Sequence, residues 1–131
     1  MDDLIVFLRA RLDEDAAAAK RVESRWRQIG ETGVIVASDG THAEECANGN
    51  WTGIAEHIVR HDPARVLADA DAKRQMIRLH GCTEGHECST VDRAGDVDHC
   101  TWVMEDEACT TLRLLALPYA DHPDYRDEWR P

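Results

Sequence analysis

No run of apolar residues in this 131-residue chain approaches the ~20 needed to cross a bilayer, so hydropathy excludes a membrane-spanning helix. There is no internal repeat and no low-complexity segment, which excludes a repeat array or a compositional tether. Also missing are a glycine-rich phosphate loop, a G-x-S-x-G elbow and a dinucleotide fingerprint. The opening residues Met1-Asp2-Asp3-Leu4 are acidic where a secretory signal carries a basic region, so a cytoplasmic protein is expected. Positive charge is scarce: 15 Lys and Arg stand against 26 Asp and Glu, a net charge of −11. That balance argues against direct attachment to nucleic acid or anionic lipid. The acids are interleaved with Arg and Lys, and the longest nearly pure run is only Glu105-Asp106-Glu107. The charge therefore reads first as solubility, with mimicry of a nucleic-acid backbone as the sharper alternative.

What is present points to one ordinary domain, residues 1–131. Apolar residues make up 43% and charged residues 31%, a globular composition. A chain of this length buries about 65–70% of its unfolded surface, enough for a core without a staple. Leu4, Leu8 and Leu12 recur at helical spacing, extended by Ile5, Ala16, Ala19 and Val22, and predict a long helix from Asp2 to about Ser24. Trp26 to Ile29 and Val34 to Ala37 predict an antiparallel hairpin, and Ala43–Ala47 a third strand, with Asp39-Gly40 as a turn. Ile54 to His61 reads as a short helix. Asp62-Pro63 then caps a second long helix, Pro63 to His80, ended by Gly81. Residues 81–100 have no sustained period and read as a long loop, followed by a short strand at Thr101–Met104. Thr110 caps a last helix carrying Leu112, Leu115 and Ala116, which Pro118 ends; Tyr125 and Trp129 dock the tail on the body. The four tryptophans read as core anchors.

Five cysteines is an odd count, and in a reducing compartment thiols are metal ligands or buried side chains more naturally than disulfides. Cys82, Cys88, Cys100 and Cys109 lie close in sequence to His80, His86 and His99. Zinc takes four sulfur or nitrogen ligands in a tetrahedron, and the set His80, Cys88, Cys100 and Cys109 would clamp the loop between two helices. Cys82 and His86 are substitutes, and His99 a weaker one. A thiolate at Cys109 would be favoured by the helix N-terminus. A closed, thiolate-rich site leaves no position for water, which argues for a structural zinc rather than a catalytic one. The alternative is that the cysteines are small buried hydrophobes and the histidines are solvated. Glu56-His57-x-x-x-His61 fails the zinc-protease pattern, since the glutamate precedes the first histidine. His86-Glu87-Cys88 lacks the P-C-x-x-C that zinc deaminases require.

The segments His57-Ile-Val-Arg-His-Asp-Pro-Ala-Arg-Val-Leu67 and Cys109-Thr-Thr-Leu-Arg-Leu-Leu-Ala-Leu-Pro-Tyr-Ala-Asp-His-Pro-Asp-Tyr-Arg-Asp-Glu-Trp129 are distinctive. With Met1-Asp-Asp-Leu-Ile-Val-Phe-Leu-Arg-Ala-Arg-Leu12, they resemble a family of short actinobacterial and actinophage proteins catalogued as a domain of unknown function. The resemblance covers both ends and the second helix. It implies a histidine near the end of that helix and cysteines before the final T-L-R-L-L-A segment, which map to His80, Cys88, Cys100 and Cys109. Many such relatives carry a C-x₂-C pair in the loop; this chain has none. No activity comes with the family.

The sequence thus predicts an α+β fold: a long N-terminal helix, a small antiparallel sheet, two further helices and a zinc-stapled loop subregion at 80–109. The functional expectation is a non-enzymatic accessory or interaction protein with a protein partner. The alternatives are a phage or prophage counter-defence or regulatory protein acting through its acidic surface, and an enzyme using a Cys–His pair.

Overall fold

A computed structural model describes residues 1–22, 24–38, 43–81 and 84–131. In chain order the elements are α1 (Asp2–Lys20), β1 (Arg25–Gln28), β2 (Val34–Ser38), β3 (Ala43–Asn48), α2 (Thr52–Arg60), α3 (Pro63–His80), β4 (His86–Val91), β5 (Val97–Val103) and α4 (Thr110–Ala116). Short 3-10 turns follow at Leu117–Tyr119 and Asp127–Trp129. Among the described residues, four helices, a three-stranded antiparallel sheet and a separate two-stranded one make this an α+β fold. No helix among the described residues is long and apolar enough to cross a membrane. Cα proximity divides the chain into residues 1–13 with 72–131, and residues 14–71.

In the first unit, Leu4, Leu8 and Leu12 are at most 2% exposed, as their four-residue spacing requires. Full burial of each such side chain stabilises the fold by about 1.5–3 kcal/mol. Phe7 gathers the C-terminal tail: its ring lies 5.1 Å from that of Trp129, 6.0 Å from Tyr125 and 6.4 Å from Tyr119. Arg11 is buried with its guanidinium 5.1 Å from the Phe7 centroid and NH1 3.0 Å from His122 Nδ1. Arg126 ties to Asp3 at 2.8 Å. The tail therefore docks through Tyr125 and Trp129, as the sequence predicts. Pro118 converts the end of α4 into a 3-10 turn because it cannot donate to the helical ladder.

In the second unit, β1, β2 and β3 pair in that order, with a bulge between Ile35 and Val36. Asp62 serves two elements. Its Oδ1 accepts the Arg65 N–H at 2.9 Å and caps α3, while Oδ2 accepts the Trp26 N–H at 3.1 Å and anchors β1. Gly49 is required by proximity, since a Cβ there would lie 2.7 Å from the Ala55 nitrogen.

Four expectations are corrected. The helix α1 stops at Lys20, and Val22 beyond it is 52% exposed rather than part of the apolar stripe. Residues 86–103 form a β-hairpin, not a loop with a short strand after it. Its turn is built by Asp92, whose Oδ1 accepts the N–H groups of Ala94 and Asp96, with Gly95 at φ +88°. Most hairpin side chains face solvent, so no apolar alternation marks the strands. Cys109, not Thr110, is the N-cap residue of α4. Of the tryptophans, only Trp129 is buried; Trp51 is 72% and Trp102 58% exposed. The Asp39-Gly40 turn lies outside the described residues.

Candidate metal centre

Each donor arrives from a different local structure within the first unit. His80 is the last residue of α3. Gly81 follows with its N–H on the Ile77 carbonyl at 2.8 Å, and a Cβ there would strike the Ile5 side chain at 2.7 Å. His86 opens β4 and Cys88 stands two residues on, so the pleat turns both to one face. Cys109 is supplied by the start of α4 and is 3% exposed.

The hairpin is set by Gly85, at φ +76°. A Cβ at that position would lie 2.6 Å from the Val103 carbonyl oxygen and 2.9 Å from Trp102 Nε1. Only glycine permits that approach and that backbone conformation together.

His80 Nδ1 lies 3.2 Å from His86 Nε2, 3.8 Å from Cys88 Sγ and 3.6 Å from Cys109 Sγ. One ligand atom from each of the four residues falls within 4.8 Å of all the others. The group can hold a metal ion. Both cysteines are buried and free, and the two imidazoles meet nearly edge-on, at 80° between planes. Thr111 places Oγ1 3.5 Å from Cys88 Sγ, an outer contact of the kind that orients a ligand.

Burial lowers the His80 pKa, and the neighbouring His86 lowers it further, which favours the neutral imidazole with a lone pair to give. Burial pushes the Cys109 thiol up, against the backbone N–H groups of Leu112 and Thr111 at the helix start, and the nearby Cys88 adds to the rise. The helix terminus thus does not win. The thiolate is the form that either attacks or ligates, so the Cys109 thiol must give up its proton in either role.

Of the sequence-derived ligands, His80, Cys88 and Cys109 come together, and the substitute His86 joins them. Cys100 does not. It pairs with Ser89 across the hairpin, one residue out of phase with Cys88, and its exposed Sγ lies 3.4 Å from Ser89 Oγ on the opposite face. His99 is exposed and held by Asp98 at 2.8 Å. Cys82 lies outside the described residues. Cys46, in the other unit, donates its thiol to the Ile35 carbonyl at 3.5 Å. Once 86–91 is taken as a strand, the spacing His86-x-Cys88 is the signal that selects His86.

No curated protein and no solved structure matches this chain. Its full length, residues 1–131, matches the model of DUF6221, a family of unknown function, and the chain belongs to that family.

Proposed function

We propose that His80, His86, Cys88 and Cys109 form a structural zinc centre, and that the protein is a non-enzymatic accessory module working through a protein partner. The observation that carries the reading is the spacing of the donor atoms. With Zn–S of about 2.3 Å and Zn–N of about 2.0–2.1 Å, a tetrahedron has edges of ~3.5 Å between sulfur and nitrogen and ~3.3 Å between nitrogens. The contacts of 3.6 and 3.8 Å, and of 3.2 Å, lie close to those lengths.

Two thiolates and two imidazoles suit zinc, and four protein donors leave no coordination position for water. That supports a structural role. Zinc binding in small sites is worth about 10–16 kcal/mol, so it would fix the end of α3, the hairpin and the start of α4 as one assembly. A reducing compartment such as the cytoplasm would keep the thiols available.

Metal analysis of protein purified without added zinc tests the reading. About one equivalent is expected; less than ~0.2 equivalents would remove it.

A further inference from the structure

The two sulfur donors differ from the two imidazoles in what they face. Cys88 and Cys109 both line a cleft of about 590 Å³, and neither His80 nor His86 does. Local structure puts the sulfurs there. Cys88 pairs across the hairpin with Thr101, which lines the same cleft, and its Sγ lies 3.5 Å from Thr111 Oγ1 on α4. Cys109, as the N-cap residue of α4, enters from the helix side. Cys88 is 9% exposed and Cys109 only 3%, so the cleft gives each thiol a narrow window. A hydrogen peroxide molecule fills about two water volumes, roughly 60 Å³, and fits with room to spare. A large anionic reagent does not suit the same space. Asp106 and Glu107 border it, and the whole chain carries a net charge of −11.

The pair is also placed to react together. The two Sγ atoms lie within 4.8 Å of each other, and both thiols are free. Zinc would hold both as thiolates, the form that attacks an electrophile. At the start of α4 the backbone N–H groups of Leu112 and Thr111 face the Cys109 sulfur and spread its charge. Cys88 is the more exposed of the two and is the first to meet a reagent.

We propose that Cys88 and Cys109 are a modification site for a small two-electron oxidant of the hydroperoxide class, which joins them as a disulfide and expels the zinc. The proposal rests on the zinc reading, because the bound ion keeps both sulfurs deprotonated and side by side. The Cys88 thiolate attacks one peroxide oxygen. An S–O bond forms, the O–O bond breaks, and hydroxide leaves and takes a proton from solvent. The Cys109 thiolate then attacks the Cys88 sulfur. The S–S bond forms, the S–O bond breaks, and a second hydroxide leaves as water. Two thiolates, one peroxide and two protons thus become a disulfide and two waters. A disulfide carries no charge to hold the ion, so Zn²⁺ departs. The new bond still ties β4 to α4, while His80 loses its link and the end of α3 is released.

The full chain, with its zinc content measured first, is treated with hydrogen peroxide or, in parallel, with glutathione disulfide. A colorimetric chelator reads free zinc, and peptide mapping after alkylation reads each cysteine. About one equivalent of zinc is expected to leave per equivalent of peroxide consumed, with Cys88 cross-linked to Cys109 and dithiothreitol restoring zinc binding. Glutathione disulfide is expected to modify exposed Cys100 and leave the zinc in place. Cys100→Ser should release zinc at an unchanged rate. Thr101→Phe, which narrows the cleft beside Cys88, should keep its zinc and release it at least about threefold more slowly. Zinc retained through millimolar peroxide, a cross-link mapping to Cys82 or Cys100, or release that dithiothreitol cannot reverse would overturn the site. So would zinc leaving as fast with glutathione disulfide as with peroxide, since access through the cleft would then decide nothing. A zinc-loaded chain indifferent to peroxide removes the oxidation proposal alone; a chain that holds no zinc removes its premise and the proposal with it.

Discussion

Cys109, at the start of α4, holds its Sγ 3.6 Å from Nδ1 of His80, the last residue of α3, although 29 positions separate them in the chain. Helix ends are where a backbone is least constrained by its own hydrogen bonds. A shared ion at that junction would therefore do the most to fix it. Cys109→Ser should lose the metal and lower stability by several kcal/mol, whereas Cys100→Ser, on the far face of the hairpin, should retain about one equivalent and change stability by less than ~0.5 kcal/mol. Metal content and urea unfolding of the two variants check the contrast.

Acid should release the ion. Protons compete with zinc for thiolate and imidazole, so affinity falls as pH falls. The sign at each group is separate. His80, held below its ordinary value by burial and by His86, stays neutral and available as pH drops toward ~6.5. Cys109, held above its ordinary value by burial, is a thiol at neutral pH and must give up its proton when the metal enters. Zinc affinity should rise with pH across the neutral range, and binding should release protons. Calorimetry in buffers of differing ionisation enthalpy measures both.

Gly85→Ala should unsettle the hairpin. Its backbone sits at φ +76°, and the added methyl would lie against the Val103 carbonyl and the Trp102 indole. A cost of about 1–3 kcal/mol is expected, together with weaker zinc retention, because His86 and Cys88 follow directly. Unfolding with and without chelator separates the backbone effect from the loss of metal.

Phe7→Ala should free the tail. Its ring is shared by Tyr119, His122, Tyr125 and Trp129, so the cavity would open among four partners. A loss of about 3–5 kcal/mol is expected. Tryptophan emission should move to longer wavelength as Trp129, 7% exposed, gains water.

Asp62→Ala removes an N-cap and a tertiary bond at once. The Arg65 and Trp26 N–H groups both lose their acceptor. A cost of about 1–2 kcal/mol is expected, and Asp62→Asn should recover most of it, since the amide oxygen can still cap α3. Thermal unfolding of the two variants provides the comparison.

The legible parts of this chain were those with strong local signals. Leu4, Leu8 and Leu12 mark α1, and Asp62-Pro63 with His80-Gly81 bounds α3 to the residue. The hairpin was not legible, because strands with few buried side chains carry no apolar period; only Asp92 and Gly95 hint at its turn. Without a strand period, the sequence leaves Cys100 and His86 equally able to face the other donors. In a loop any cysteine can turn inward, whereas in a paired strand the pleat fixes the side, and Cys100 falls on the face opposite Cys88.

X-ray absorption at the zinc edge, on protein expressed without supplementation, tests the account most directly. Two sulfur neighbours at about 2.3 Å and two imidazole nitrogens at about 2.0–2.1 Å are predicted. A first shell of oxygen and nitrogen alone, or one with three sulfurs, would contradict the assignment of His80, His86, Cys88 and Cys109 as the complete ligand set.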